Sequence, residues 1–189
     1  MSIMEPEVRL SVDLPARGLT LDDVAYLAAA DELHRYELDE GNLLVMPPAD
    51  SQHAALIMRI GGWFLANGYS PEVVLPTPGL RVFGQSTGRS PDLLVLRDQV
   101  PRSVWIEPAD VLLAMEIVSP GSEKLDRVTK PAEYARAGIG RYWRVERDPG
   151  PATAHQYQLG TDEYGDRAYI GHRAILLDEL LAGEPGRLG

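Results

Sequence analysis

The sequence contains no cysteine, which excludes a disulfide framework and thiolate metal sites. Any metal bound here must therefore be held by oxygen ligands or imidazole, and hard cations suit such ligands best. The chain also lacks a run of eighteen apolar residues and a leader with a charged start, an apolar middle and a small-residue end. The sequence thus predicts neither a membrane span nor a signal peptide, and we expect a cytoplasmic protein with no membrane partner.

Positive charge is scarce, because 18 Lys and Arg stand against 28 Asp and Glu. Taken alone, this argues against a nucleic-acid-binding protein, since such proteins usually carry a basic surface for phosphates. The charges are unevenly spread: residues 1–50 hold eleven acids and three arginines, whereas residues 120–147 hold seven basic and four acidic residues. The only lysines, Lys124 and Lys130, both lie in the second segment. Because basic residues outnumber acidic ones in this segment, the charge of the chain does not exclude a nucleic-acid partner.

Hydrophobic residues make up 44% of the 189 residues, which is enough to form one hydrophobic core. We expect a single domain over residues 19–189, preceded by a flexible arm over residues 1–18. Thr20 is a plausible N-cap for a first helix, and residues 36–46 have the pattern of a β-hairpin. A second helix is predicted from Asp50 or Ser51 to about residue 67.

The strongest strand signals are two near-continuous apolar runs, at residues 93–96 and 111–118, which is the pattern of strands buried on both faces. We expect a helical stretch from residue 121 or 122 to Ala137, closed by Gly138. The remaining strand signals are weaker; they lie at residues 72–75, 80–83, 141–145, 153–159, 167–170 and 174–177.

Two carboxylates flank the strong strands. Asp92 stands directly before the first strand, and Glu116 lies near the end of the second. If the strands pair antiparallel through the connection 97–110, the two carboxylates converge at one edge of the sheet, as ligands of a metal ion would. The structural alternative is that Asp92 caps a turn after Pro91 and Glu116 pairs with an arginine.

A set of motifs surrounds these carboxylates in a fixed order. The motifs are Tyr36-Glu37-Leu38-Asp39-Glu40-Gly41, His53, Ser90-Pro91-Asp92, Ala114-Met115-Glu116-Ile117-Val118-Ser119-Pro120, Asp126-Arg127-Val128-Thr129-Lys130, Tyr134, Ala137-Gly138-Ile139 and Arg141-Tyr142-Trp143. Each motif is weak alone. Their ordered combination closely resembles the bacterial "putative restriction endonuclease" family, also called Uma-two, over about residues 19–145.

The resemblance implies an α/β (α+β) fold of the PD-(D/E)XK restriction-endonuclease-like type, a mixed sheet flanked by helices. It also implies that Asp92 and Glu116 bind a metal. In the wider superfamily a lysine follows two residues after the glutamate, but Val118 stands there in this chain. The family resembled carries its lysine on the following helix, where Lys130 matches and Lys124 ranks second. Pro131 directly after Lys130 is expected to restrict the backbone there and to break the helix.

Two further residues match the family pattern. Glu37 matches an acid that points towards the metal site as a third ligand; the alternative is a solvated hairpin glutamate. His53 could contact a phosphate or orient a water, or it could be a half-buried helix residue. Four arginines could contact a phosphate backbone, but they are interpreted as scattered surface residues: Arg81, Arg89, Arg141 and Arg144. Tyr134, Tyr142 and Trp143 are interpreted as core and packing residues and not as base-stacking platforms.

Together these features predict a metal-dependent endonuclease that hydrolyses phosphodiester bonds of nucleic acid, with DNA as the expected partner and Mg²⁺ or Mn²⁺ as cofactor. Asp92, Glu116, Lys130 and Glu37 are the predicted catalytic residues. A homodimer would relieve the acidity of the chain by joining two basic faces. The rival hypotheses are a non-catalytic binding or regulatory protein with a nuclease fold and a metal-dependent hydrolase of a small substrate.

Overall fold

The computed structural model describes residues 16–30 and 34–185. Residues 1–15, most of the expected arm, lie outside this range, and the division into an arm and one domain stays a prediction. The helices are α1 (Leu21–Ala30), α2 (Ser51–Ala66), α3 (Lys130–Ala137) and α4 (Leu177–Ala182). The strands are β1 (Arg35–Asp39), β2 (Asn42–Met46), β3 (Val74–Pro76), β4 (Gly79–Phe83), β5 (Thr87–Arg89), β6 (Leu93–Leu96), β7 (Trp105–Ile106), β8 (Val111–Ile117), β9 (Arg141–Glu146), β10 (Thr153–Thr161) and β11 (Arg167–Leu176).

The first two helices begin where the sequence places their caps. The Thr20 amide donates to the Asp23 carboxylate at 2.8 Å, and the Asp23 amide lies 3.4 Å from the Thr20 hydroxyl, so the first turn of α1 is closed reciprocally. Asp50 accepts a hydrogen bond from the His53 amide at 2.9 Å and caps α2. These caps fix where the side chain of His53 enters the molecule.

The strands form two sheets. The first has the order β2-β1-β5-β4-β7 and begins with the predicted hairpin. The second has the order β11-β10-β9-β8-β6-β3, so the two strong strand signals lie next to each other inside it. β6 pairs antiparallel with β8, with Leu93 opposite Met115, and β8 pairs parallel with β9. The antiparallel pairing expected for the two carboxylate-bearing strands is confirmed.

The second sheet is covered on both faces, which explains its near-continuous apolar strands. On one face, α2 and α4 pack over residues such as Met115 and Trp143. On the other face, Tyr134 of α3 and residues of β4 pack over Ala114 and Tyr142. Because side chains alternate along a strand, Glu116 shares the face of Ala114 and points towards α3.

Three features differ from expectation. β5 and β7 carried no strand signal, and the two predicted strands near the end of the chain form one continuous β11. The predicted helix over 122–137 contains a turn of π-helix at Leu125–Thr129, in which the Lys130 amide donates to the Leu125 carbonyl. None of the helices in the described ranges combines the length and the apolar character needed to cross a lipid bilayer.

Candidate active site

Asp92 and Glu116 lie close together where the start of β6 meets the end of β8, as the antiparallel pairing of these two strands requires. Both side chains line a single cavity of about 420 Å³, whose wall also includes Glu37, His53 and Lys130. Asp92 is 3% exposed and Glu116 is 2% exposed. The structure therefore brings every sequence-predicted site residue to the wall of one cavity.

Asp92 is held by hydrogen bonds on both oxygens. Its Oδ1 lies 2.9 Å from His53 Nε2 and 3.2 Å from Arg35 Nη1, and its Oδ2 accepts from the Ile117 amide at 2.8 Å. Burial alone would raise the pKa of Asp92, but the contacts with His53 and the Ile117 amide outweigh it and hold the pKa below its ordinary value. Asp92 is therefore an ionised carboxylate with a fixed orientation.

His53 joins Asp92 to the turn that follows β8. Its Nδ1 lies 2.9 Å from Ser119 Oγ, and the side chain is 4% exposed. His53 does lie on a helix, but the expectation that it is only half-buried is wrong. Its side chain is buried, and each ring nitrogen has a hydrogen-bond partner. Its role towards a phosphate or a water stays a prediction.

The Lys130 ammonium occupies the centre of a group of carboxylates. Its Nζ lies 3.1 Å from Glu116 Oε2, 3.2 Å from Glu37 Oε1 and 3.3 Å from Asp126 Oδ1. Burial lowers the pKa of Lys130, but the surrounding carboxylates raise it by more, so the net shift is upward. Lys130, fourteen residues after Glu116, thus reaches the site, whereas Lys124 is exposed to solvent.

The expected break of the helix at Pro131 is wrong. Lys130 has helical angles, φ −59° and ψ −46°, and Pro131 lies in the first turn of α3. Because helical backbone also precedes Lys130, Pro131 leaves the carbonyl of the preceding turn without an amide, and the Asp126 carbonyl accepts from the Tyr142 hydroxyl instead. Lys130 thus stays in the helical segment, and its side chain lines the cavity.

The pKa of Glu116 is shifted by its surroundings in the opposite direction to that of Asp92. Burial raises its pKa well above the ordinary value; Lys130 opposes this shift, and the nearby carboxylates of Asp126 and Asp92 add to it. Its Oε1 accepts a hydrogen bond from the Tyr134 hydroxyl at 2.7 Å. Tyr134 is a packing residue as expected, and it also orients the carboxyl of Glu116.

Glu37 points inward from β1 and is 1% exposed, so the alternative of a solvated hairpin glutamate is wrong. Its Oε1 accepts from the Ser90 amide at 3.0 Å, while its Oε2 is buried and accepts no hydrogen bond within the described chain. Arg89 Nη1 lies 3.7 Å from that oxygen. Glu37 therefore meets the rest of the site through Lys130.

Arg89 is not a surface arginine, as its sequence context suggested, but a fully buried one. Its guanidinium donates to Glu133 Oε2 at 2.7 Å and to Asp39 Oδ1 at 2.8 Å. Glu133 lies on α3, three residues after Lys130, and Asp39 lies at the end of β1. Arg89 thereby joins the strand that carries Glu37 to the helix that carries Lys130.

Sequence reasoning missed the part that Asp126 plays. Its carboxylate is 2% exposed, bonds the Ser122 hydroxyl at 2.5 Å and faces Lys130. Burial raises its pKa, with Lys130 opposing the shift. Asp126 precedes Lys130 by four residues, a helical spacing that puts both on one face, and this spacing was the available signal.

The donor chemistry of the site fits a hard cation. Among residues 16–30 and 34–185, no three histidine, aspartate or glutamate side chains are arranged to hold a metal ion together. However, three buried carboxylates, those of Glu37, Glu116 and Asp126, face the single ammonium of Lys130, while Asp92 contacts His53 and Arg35. Glu37 Oε2 accepts no hydrogen bond from a described residue. A buried carboxylate with too few partners is costly, and a divalent cation bound through oxygen relieves that cost.

The comparisons with known proteins agree with this arrangement. The family model described as "Uma2: Putative restriction endonuclease" matches residues 23–184, which is most of the chain. This chain belongs to that family. The match to the Uma2 family confirms the resemblance stated from the motifs, and it extends the resemblance beyond residue 145 to include β10, β11 and α4.

A solved structure shares the Uma2 fold of this chain. It is described as a putative nuclease belonging to DUF820 from Anabaena variabilis ATCC 29413. The TM-score is 0.56 at 14% sequence identity, and the alignment covers 77% of this chain and 78% of the other. At this identity the likeness shows the fold, so the mixed α+β nuclease-like fold is confirmed. Comparison with curated proteins gives no match.

Proposed function

We propose that this Uma2-family protein is a metal-dependent endonuclease that hydrolyses phosphodiester bonds of DNA with Mg²⁺, or with Mn²⁺ in its place. The observation that carries the proposal is the convergence of the buried side chains of Asp92, Glu116 and Lys130 in one cavity, with Glu37 and Asp126 also in contact with the lysine. Asp92 and Glu116 would hold the ion, with Glu37 completing the ligands or positioning a water. A bound divalent ion would polarise a phosphoryl oxygen and lower the pKa of a water ligand.

The protein groups have separable parts in such a reaction. Because the carboxylates keep Lys130 protonated, its ammonium suits stabilisation of charge on the phosphate and orientation of the attacking water better than proton abstraction. Asp92 is ionised and held in place by His53 and the Ile117 amide. Tyr134 fixes one oxygen of Glu116 and Lys130 the other. The site is thus oriented before a substrate arrives, which lowers the cost of reorganisation.

The test is nicking of supercoiled plasmid in Mg²⁺, comparing wild type with Asp92→Asn, Glu116→Gln and Lys130→Met. We expect each change to lower the rate by about a hundredfold or more, in line with the removal of an electrostatic group from a water-excluded site. A chelator should abolish nicking, and added Mg²⁺ should restore it. Asp98→Asn and Glu163→Gln change exposed carboxyls outside the cavity and serve as matched controls.

The outcomes separate the rival functions. Nicking that survives both Asp92→Asn and Glu116→Gln contradicts the site assignment. Folded wild-type protein that cleaves no DNA or RNA favours the binding or regulatory protein, which the Lys130 ammonium at the centre of the carboxylates also suits. Hydrolysis of small phosphodiesters such as bis-p-nitrophenyl phosphate without nicking favours the small-substrate hydrolase.

We further propose that the protein acts as a homodimer. The net charge of −10 opposes binding of a polyanion, and pairing of two copies can join their basic surfaces. β11 ends the second sheet with β10 on one side, and no strand of the described residues pairs with its other edge. Such an edge can pair with another chain. The cytoplasmic location expected from the sequence stays a prediction.

A further inference from the structure

A second and larger cleft lies on the outer side of α3, away from the active-site cavity. Its volume is about 860 Å³, and it shares no lining residue with the cavity that holds Asp92 and Glu116. Four arginines line it, namely Arg127, Arg136, Arg144 and Arg167. Only two carboxylates, Asp162 and Asp166, line it with them. Arg127 and Arg144 both pair with Glu146 at 2.8 Å, so four arginines stand against three carboxylates there, and in a chain of net charge −10 the cleft keeps a small positive excess.

Two of these arginines are available to a ligand. Arg136 and Arg167 are exposed, and neither forms an ion pair with a carboxylate of residues 16–30 or 34–185. The Arg136 guanidinium lies 4.8 Å from the centre of the Phe83 ring, and Arg167 Nη1 lies 3.4 Å from the Arg136 carbonyl oxygen. Both guanidinium groups thus keep free N–H donors at the cleft, and such donors suit phosphate oxygens.

The floor of the cleft is made of tyrosine rings. Tyr142 stacks on Tyr157 and on Tyr169, with ring centres 6.0 Å and 5.5 Å apart. The hydroxyls of Tyr142 and Tyr169 donate to backbone carbonyls, whereas the rings of Tyr157 and Tyr169 are only partly buried. The Arg144 guanidinium lies 5.7 Å from the centre of the Tyr157 ring. The Tyr157 ring is also stacked on His172, with ring centres 5.1 Å apart, so the partly buried ring of Tyr169 is the one that an unpaired base can stack on between the arginines.

The cleft and the active site lie on the same face of the second sheet. Arg144 of β9 is in parallel register with Glu116 of β8, and neighbouring strands lie about 4.8 Å apart. The helical segment that begins with the π turn separates the two places. Asp126 and Lys130 line the cavity on one side of this segment, while Arg127 and Pro131 line the cleft on the other. A strand bound in the cleft therefore lies close to the catalytic carboxylates.

We propose that this arginine–tyrosine cleft is a binding subsite for a single strand of nucleic acid, distinct from the cavity where the phosphodiester bond is cleaved. The choice of nucleic acid as the ligand rests on the proposed nuclease function. The place of the subsite rests on the free arginines and the stacked tyrosines.

The test is binding of fluorescein-labelled dT₂₀ by anisotropy, in a chelator so that cleavage does not interfere. The double change Arg136→Glu with Arg167→Glu should weaken binding by roughly tenfold or more, and the slope of log K against log salt should fall in magnitude by about 1.4, at about 0.7 for each lost phosphate contact. Arg97→Glu with Arg102→Glu makes the same change of net charge at exposed arginines outside the cleft and outside β11. This control should keep binding within about threefold of wild type, because surface charge at a distance is screened by salt.

A second variant tests the stacking part. Tyr169→Leu keeps an apolar side chain but removes the ring, and it should weaken dT₂₀ roughly tenfold while changing duplex binding little, because only unpaired bases stack on it. Tyr169→Phe keeps the ring and loses only the hydroxyl that bonds the Ile139 carbonyl, so it should bind dT₂₀ like wild type. Circular dichroism establishes that each variant is folded.

Several results would overturn the subsite: no binding of dT₂₀ by wild type, equal weakening by the two double variants, or unchanged binding by Arg136→Glu with Arg167→Glu. A change of self-association by that variant, with binding of dT₂₀ intact, would make the cleft a protein interface instead. Because binding is measured apart from cleavage, failure of the nuclease proposal is seen separately. Wild type that binds dT₂₀ through the cleft but never nicks plasmid would refute the nuclease proposal alone.

Discussion

Several charged side chains of this protein are buried among groups of opposite charge, and Arg89 is the clearest case. Its side chain is fully buried between carboxylates of β1 and α3. Burial lowers the pKa of Arg89, but Glu133, Glu37 and Asp39 raise it by more. A buried ion pair contributes little over an apolar replacement of both partners, yet removal of one partner leaves the other charge buried and unpaired. Arg89 is therefore needed for stability, because without it the carboxylates around it would be left without a partner of opposite charge.

We expect Arg89→Met to lower the free energy of unfolding by about 3–5 kcal/mol, because the carboxylates of Glu133 and Glu37 lose a buried partner. The measurement is urea denaturation at neutral pH. Arg81→Met is the control: Arg81 bonds Glu107 at 2.7 Å, but that carboxylate is half exposed, and such a pair contributes about 1 kcal/mol or less. Equal losses in the two variants would show that Arg89 is no more than a surface charge.

The residues of the site divide into those that the sequence predicts and those that it does not. Asp92 and Glu116 follow from strand pattern, and Lys130, Glu37 and His53 follow from the family motifs. Arg89 was misjudged because burial of a charge depends on the carboxylates that surround it, and these come from β1 and α3, distant in the sequence. A local pattern contains no information on such a pairing.

At the scale of elements, the π turn at Leu125–Thr129 determines how α3 presents Lys130. It is held from below by the sheet, because the Tyr142 hydroxyl of β9 donates to the Asp126 carbonyl at 2.5 Å. The opposite end of α3 is held by an equivalent bond, from the Tyr169 hydroxyl of β11 to the Ile139 carbonyl at 3.0 Å. Two tyrosines on one sheet face thus fix the two ends of the segment that carries the lysine.

These tyrosines give a matched pair of variants. Tyr142→Phe and Tyr169→Phe should each cost about 1–3 kcal/mol of stability, because each leaves a backbone carbonyl without its partner. Hydrogen exchange by mass spectrometry should distinguish them: Tyr142→Phe speeds exchange in residues 123–130, and Tyr169→Phe speeds it in residues 137–141. Only Tyr142→Phe should also slow plasmid nicking. If both variants affected the same segment, the separate anchoring of the two ends would be wrong.

Element prediction succeeded where a signal was long and failed where it was short. The predicted α2, with His53, Ile57, Ile60 and Phe64 on one face, has all four side chains buried. β5 and β7 have three and two residues, too few for an alternating pattern, and they exist only because the first sheet supplies their partners. The break expected at Pro131 failed because the π turn, a feature with no sequence signature here, precedes it.

At the scale of the whole molecule, the distribution of charge and the open edge of the second sheet belong to one problem. β11 supplies Arg167 and Tyr169 to the arginine–tyrosine cleft, and β11 is also the strand whose outer edge has no partner in the described ranges. Pairing of two copies along this edge would place their clefts side by side. The combined positive surface would then be longer than either copy offers, and binding of a polyanion would gain from it.

This arrangement predicts a homodimer that depends on β11. Light scattering should give about twice the chain mass of 20.8 kDa for wild type. Ile170→Lys with Leu176→Lys adds charge to the edge strand, where the two side chains are 48% and 40% exposed, and should give monomers, because lysine on an edge opposes strand pairing. Met58→Lys with Val104→Lys makes the same chemical change at exposed apolar residues on α2 and before β7, and should leave the dimer intact. A wild-type monomer, or a dimer that survives the β11 changes, would contradict assembly through this edge.

The monomeric variant also tests whether the two clefts act together. If it binds dT₂₀ more weakly than wild type at equal chain concentration, a second contact on the same strand has been lost, and the two clefts bind the strand together.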